Sequence, residues 1–246
     1  MNEQNLMSRM RAVTISREYG SGGGEIARQL AQLLGWQLID HEIVARVAQA
    51  LEISEEEANI HDEHVESAVN SLLTGMSVVH PAIFGVAPPL MLLTDPKTYR
   101  EALNQVIEAA VARGHVVIVG RGAQAVLAQR RDVLHARIVA PLEQRIEYVM
   151  RREGLSKADA QTRIQLKEHD RARYLQAQYH CRPDDAHLYD VVINTGILDL
   201  DSAVDLIYDA LQHKAQRLSI PTGELGPATG MPRYPGQPGD IHTTEQ

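Results

Sequence analysis

A chain of 246 residues is long enough for one full α/β domain with a buried core, or for two small ones. Apolar residues make up 44% and charged residues 23%, the balance of a globular protein rather than a disordered one. The formal net charge of -8 offers no long-range attraction to nucleic acid or to an anionic membrane, so neither is expected as a partner. A small anionic ligand stays open wherever arginines cluster locally. Cys181 is the sole cysteine, which excludes an intrachain disulfide and a cysteine zinc cluster. The opening "MNEQNLMSRMRA" lacks the apolar core of a secretory signal. The most apolar stretch, "MSVVHPAIFGVAPPLMLL", is broken by three prolines, a glycine and a histidine, and makes a poor membrane span. A cytoplasmic protein is expected.

In chain order, "RAVTIS" predicts a first strand. The glycines from Gly20 to Gly24 then lead into a helix with Ile26, Leu30, Leu33 and Leu34 on one face and Gly35 placed to end it. "WQLID" predicts the second strand. Residues 54–96 begin acidic and helical and turn Pro- and Gly-rich, and are read as an insert. Within it "HDEHVE" sets His61 and His64 on one helix face, where a solvated acidic helix is a better account than a metal pair. Leu103, Val106, Ile107, Ala110 and Val111 form the face of a further helix stopped by Gly114. "HVVIVG" and "HARIVA" are the next strands. Pro141 suits the first turn of a helix running to about Gly154, and Ser156 with Asp159 signals the start of another. "YDVVIN" is the last strand. Val116–Val119 and Val191–Ile193 are continuous apolar runs, as expected of strands covered on both faces. Asp199 or Asp201 caps the last helix, with Ala203, Leu206, Ile207 and Leu211 inward.

Strands alternating with helices predict a mostly parallel five-stranded sheet with helices on both faces. The expected organisation is an N-terminal extension over 1–12 and one domain over 13–215. That domain carries an insert at 54–96 and a lid region at 155–188. A disordered Pro/Gly-rich tail follows over 216–246.

The segment "VTISREYGSGGGEIARQLAQLLGW" carries the most chemistry. A strand ending in glycines and entering a helix presents backbone N–H groups and a helix N-terminus to an anion. The strict G-x-x-x-x-G-K-[ST] pattern occurs nowhere in the chain. Gly23 or Gly24 stands where the lysine belongs, and Glu25 stands near the place of the Mg²⁺-binding hydroxyl. Some other cation must supply the missing charge, and Arg17 at the loop mouth is nearest in sequence.

Five segments in order resemble the cytidylate kinase-like branch of the nucleoside monophosphate kinases. They are "ISREYGSGGGEIARQLAQLLGW", "LIDHEIVAR", "VIVGRGA", "EHDRAR" and "YDVVINTGILDLDSAVDLI". The resemblance implies a three-layer α/β/α P-loop NTPase-like fold with a helical NMP-binding insert and a helical lid. It implies ATP and Mg²⁺ as cofactors and a nucleoside monophosphate, CMP or dCMP first, as acceptor. By the same resemblance Gly20, Ser21, Gly22, Gly23, Gly24 and Glu25 form the donor loop, with Asn194 and Thr195 beside the adenine. Asp40, Arg46, Arg121, Asp170 and Arg173 lie at the acceptor, with Arg121, Asp170 and Arg173 acting in catalysis; Arg17 joins them as a catalytic candidate from its place at the loop mouth. Arg145, Arg151, Arg152 and Arg171 are available to the lid. The chain departs from cytidylate kinases proper in lacking the loop lysine, in placing Glu25 for the hydroxyl, and in having one lid arginine fewer, with Leu166, Lys167 or His169 nearby.

Independent chemistry points the same way, since converging arginines hold a phosphomonoester of about two negative charges. Two rivals stand beside this reading. A kinase-like domain without its lysine can bind nucleotide and regulate a partner without turnover. "VVIVGRGAQAVLAQ" also fits a dinucleotide fingerprint, though it falls in the third unit of the sheet and the strand after it ends in Ala140-Pro141 rather than an acidic residue. The 77–96 stretch can cover the acceptor site or form a homodimer interface.

Overall fold

The computed structural model describes residues 7–40, 96–226 and 229. Its elements are β1 (Ala12–Arg17), α1 (Gly23–Leu34), β2 (Gln37–Ile39), α2 (Pro96–Arg113), β3 (Val116–Val119) and α3 (Ala123–Val126). They continue with β4 (Val133–Val139), α4 (Leu142–Glu153), α5 (Lys157–Tyr179), β5 (Val191–Asn194) and α6 (Leu200–Arg217). The five strands are parallel throughout, in the order β2-β3-β1-β4-β5. The chain runs outward from β1 to β2, returns to β3, then crosses β1 to reach β4 and β5. That reversal makes β1 the switch point, so the loop at its C-terminal end opens onto the crevice where α/β sheets bind ligands.

Two cores make the three layers. Val13, Ile15, Val117, Leu134, Ala136 and Ile138 point to one face, covered by Ile26 and Leu30 of α1 and by Ala203, Ile207 and Leu211 of α6. Ala12, Val116, Ile118 and Val133 point to the other, covered by Leu103, Val106, Ile107, Ala110 and Val111 of α2. A smaller cluster joins Ile146 and Val149 of α4 to Ala160 and Ile164 of α5, with Tyr19 against it.

Local stop signals act where expected. Gly35 and Gly154 end α1 and α4 in the left-handed conformation. Ser156 caps α5 by accepting from the Asp159 N–H at 3.2 Å, and Asp199 rather than Asp201 caps α6 by accepting from Ser202 N–H at 2.7 Å.

Other expectations are corrected. The domain starts before residue 13, because Met10 is fully buried in the first core and Met7 packs on it. Leu33 and Leu206 face outward; Ala31 and Val204 take the inward places, shifting each apolar stripe part of a turn. β5 is an edge strand with Val192 51% exposed, so its apolar run does not mean cover on both faces. The chain remains structured beyond 216: α6 runs to Arg217, Leu218 packs on the core, and a 3₁₀ turn forms at Thr222–Glu224. Arg131 secures this exit through the carbonyls of Arg217 and Ile220, both at 2.8 Å. The insert, Arg46 and the His61/His64 pair lie outside the described residues.

Candidate functional site

The loop from Glu18 to Gly22 is braced on every side. Ser21 Oγ donates to the carbonyls of Glu18 (2.9 Å) and Ile138 (3.2 Å), so this hydroxyl is spent inside the protein. Thr195 Oγ1 donates to the Ser21 carbonyl at 2.9 Å, tying the end of β5 to the loop. Arg145 donates to the carbonyls of Ala140 (3.0 Å) and Tyr19 (3.3 Å) and pairs with Glu18 at 3.4 Å. Gly20 and Gly22 have φ of 85° and 80°, which L side chains rarely adopt. Added Cβ atoms there would strike the Arg145 carbonyl at 2.8 Å and Leu200 at 2.6 Å. Gly24 differs: a Cβ there meets nothing within 4 Å. The result is a rigid loop leading into α1, where Glu25 and Ile26 N–H already bond the Gly22 carbonyl, both at 3.0 Å, and the N–H groups of Gly23 and Gly24 stand at the helix N-terminus, where anions bind.

Beside the loop lies a cavity of about 60 Å³ lined by Ser16, Arg17, Gly120, Arg121, Arg137 and Arg171, among others. The stem of Arg17 packs on Gly23, and its guanidinium lies against Gly120, where any side chain would collide with it. Burial, then the like charges of Arg171 and Arg121, push the Arg17 pKa down to about 10. Gly120, Arg121 and Gly122 all have positive φ, 78°, 58° and 70°. For Arg121 this is a strained conformation, worth on the order of 1 kcal/mol or more, of the kind that gathers at functional sites. Gly122 is held from the other side by the ring of Tyr179, whose hydroxyl donates to Asn104 Oδ1 at 2.9 Å. Arg17 and Tyr179 therefore fill the approach to both glycines of the supposed dinucleotide fingerprint. No room is left there for a pyrophosphate.

Helix α5 closes the cavity, in a register that differs from the one expected. Asp170 and Arg173 are exposed on its outer side, while Glu168 and Arg171 face the loop. Glu168 accepts from the Tyr19 N–H at 2.5 Å and from Arg171 Nη1 at 3.2 Å. Arg171 also donates to the Arg17 carbonyl at 3.1 Å and lies over the Tyr19 ring, 5.5 Å from its centroid. Arg151 and Arg152 stay on the surface near the C-terminus of α4, Arg151 with Glu147 at 3.6 Å.

The remaining expected residues fall as follows. Asp40 follows β2, close enough to Arg17 to favour its charged form. Glu25 sits in the first turn of α1 and pairs with Arg28, whose hydrogen bonds hold its carboxyl below the usual range. Asn194 Oδ1 accepts from Gly196 N–H at 2.9 Å, shaping the loop after β5, and Ile197 next to it is 95% exposed. Cys181 is an ordinary thiol, its pKa raised by burial. Sequence reasoning missed Arg137, Glu168 and the exposed Ile197. For Arg137 a signal existed, since a guanidinium in the middle of a buried strand demands a reason.

The loop N–H groups fit a phosphate chain. Near the loop, Glu18, Glu25 and Glu168 are each engaged by protein partners. Among the described residues no three His, Cys, Asp or Glu side chains converge as metal ligands. No helix among the described residues is long and apolar enough to cross a membrane.

The profile described as the cytidylate kinase-like family matches residues 12–197. The cytidylate kinase of Methanopyrus kandleri is 27% identical over 213 residues, 83% of this chain and 95% of that one. The cytidylate kinase of Ignicoccus hospitalis is 27% identical over 199 residues, 80% and 97% of the two chains. A uronate isomerase of Corynebacterium glutamicum is 30% identical over 149 residues, 61% of this chain, and the chain spans 28% of that protein's length. Among solved structures, an uncharacterized protein from Eubacterium ventriosum superposes with a TM-score of 0.60 at 21% identity, over 82% of this chain and 98% of its own.

Proposed function

Because the chain belongs to the cytidylate kinase-like family, we propose that it transfers the γ-phosphoryl group of ATP, with Mg²⁺, to a nucleoside monophosphate, CMP or dCMP first. The observation that carries this reading is the course of Arg17. Its stem lies on Gly23 of the donor loop, and its head lies in the arginine-lined cavity beside it. One side chain thus bridges the two places between which a phosphoryl group would move.

The phosphoryl-transfer transition state spreads charge over the moving group, so catalysis is positioning and electrostatic stabilisation. In this reading the N–H groups at the start of α1 hold the donor phosphates. Arg121 and Arg171 grip the acceptor phosphate, and Arg17 stabilises charge as it passes. Mg²⁺ bound with ATP supplies the charge neutralisation that the absent loop lysine does not. Exposed Ile197 and Leu198 offer the adenine an apolar face. Helix α5, closing over the cavity, excludes water. The partial match to a uronate isomerase covers too little of that protein to carry its activity here.

A second reading, nucleotide binding without turnover, draws on Glu168. Its carboxylate occupies the Tyr19 N–H of a loop that has no lysine. An ADP-release assay with ATP and Mg²⁺ against CMP, dCMP, UMP, AMP and GMP separates the two. Turnover with a pyrimidine monophosphate, abolished in Arg121→Ala, supports the kinase. ATP binding with no acceptor-stimulated ADP release transfers the case to the regulatory reading.

A further inference from the structure

We infer that Arg137 is a fourth cationic ligand of the cavity, gripping the acceptor's phosphomonoester from the sheet side; this rests on the kinase reading of that cavity. Arg137 lies on β4 directly opposite Ser16 in the parallel register, and both side chains line the cavity. Only 7% of Arg137 is exposed. A guanidinium buried to that degree is normally paired with a carboxylate. Here its hydrogen-bond partner is neutral, Ser16 Oγ at 3.2 Å, and its ring contact is Tyr189, 5.6 Å to the centroid. Among the described residues no carboxylate forms an ion pair with it; Asp184, which feels its charge, is paired with Arg182 instead. A guanidinium has five N–H donors.

Tyr189 fixes this geometry from below. Its hydroxyl donates to the Pro183 carbonyl at 2.9 Å and lies 3.2 Å from Ser16 Oγ. The guanidinium is thus held in place on the wall of the cavity that Arg17, Arg121 and Arg171 also line, near enough to Arg171 for the two charges to repel. Four guanidinium groups around a cavity of about 60 Å³ leave room for one phosphate-sized group, about the volume of two waters. Glu168 is the one acid that lines this cavity among the described residues, and it pairs with Arg171 at 3.2 Å, so the cavity keeps an excess of positive charge that costs the empty protein stability and that a dianion relieves. A residue kept purely for structure would show the opposite sign.

The test uses Arg137→Met, which keeps the stem and removes the charge, with Arg137→Lys, which keeps the charge and loses the fork. Thermal unfolding is followed without ligand and with inorganic phosphate or CMP, and acceptor kinetics are measured in parallel. For Arg137→Met we expect a ligand-free melting temperature equal to or above wild type and loss of protection by phosphate and CMP. The acceptor KM should rise about tenfold to a hundredfold with kcat little changed, as for a charged hydrogen bond made equally in ground and transition states. Arg137→Lys should lose part of the protection, and it decides the matter if the Met variant misfolds. A lower melting temperature with unchanged phosphate protection in either variant overturns the inference and makes Arg137 a brace for Tyr189 and Ser16. Failure of phosphate and CMP to protect the wild type also overturns it. If both protect the wild type and neither protects Arg137→Met, yet no acceptor is turned over, the ligand role stands and the kinase reading fails.

Discussion

Two neighbouring glycines of the donor loop should respond to alanine with opposite signs. At Gly22 the backbone has φ 80° and a Cβ would stand 2.6 Å from Leu200 Cδ2. The left-handed conformation costs an L residue about 1–2 kcal/mol. Forcing a methyl against a packed side chain costs about 1–3 kcal/mol, reduced if Leu200 turns away. Gly22→Ala should therefore lose roughly 2–4 kcal/mol, a fall in melting temperature of about 2–4 °C per kcal/mol for a chain of this size. At Gly24, within α1, a Cβ meets nothing within 4 Å. Replacing a helical glycine by alanine gains about 0.5–1 kcal/mol, so Gly24→Ala should melt slightly higher than wild type. Urea unfolding monitored by circular dichroism measures both, and ATP titration of Gly24→Ala adds the functional half. The added methyl stands in the open approach to the N–H groups of α1, so ATP affinity should drop while stability rises. Equal destabilisation by the two substitutions would refute the reasoning. A stable Gly24→Ala with unchanged ATP affinity would move the phosphates away from that side of the loop.

Three further outcomes follow from the same geometry. His135 is buried and bonded to Thr14 Oγ1 through Nδ1 at 2.8 Å, and burial first of all lowers its pKa below the usual value. The unfolded chain then binds the extra proton first, so stability is full above about pH 6.5 and falls below it. His135→Gln should flatten that part of the curve, and an unchanged slope would refute it. Arg17, with its pKa pushed down to about 10, is charged at neutrality and discharges sooner than a free arginine. Phosphate protection should therefore weaken as pH rises through about 10, and protection that stays level through that range would count against Arg17 as an anion ligand. Thr195→Val removes the hydrogen bonds to the carbonyls of Ser21 and Val139. The expected cost is about 1 kcal/mol of stability and a raised KM for ATP with the acceptor KM unmoved; a change confined to the acceptor would contradict the brace assigned to it.

What the sequence determined by itself was local. Gly35 and Gly154 end helices because they take the left-handed conformation there. Ser156 and Asp199 begin helices because a short side chain reaches an N–H three residues on. The loop between β1 and α1 was legible for the same reason, since glycines, the strand before and the amphipathic pattern after all lie within one short stretch. Arg121 stood out between its two glycines.

Long-range packing decided the rest. Helix α5 is polar along most of its length, with buried Ala160, Ile164 and Leu175 as its anchors, so the sequence pattern gave its lid end little rotational preference. Packing against Tyr19 and the Gly120–Gly122 turn brings Glu168 and Arg171 inward and leaves Asp170 and Arg173 outside. Val191–Ile193 and Val116–Val119 are alike as strings, yet one is an edge strand and the other is covered on both sides, because strand order is set by crossovers and not by composition. Arg137 gained its meaning only when β4 was laid beside β1 and its charge came to rest with three others around one cavity. Chemistry at short range can be read along the chain; convergence of groups more than a hundred residues apart exists only once the sheet has formed.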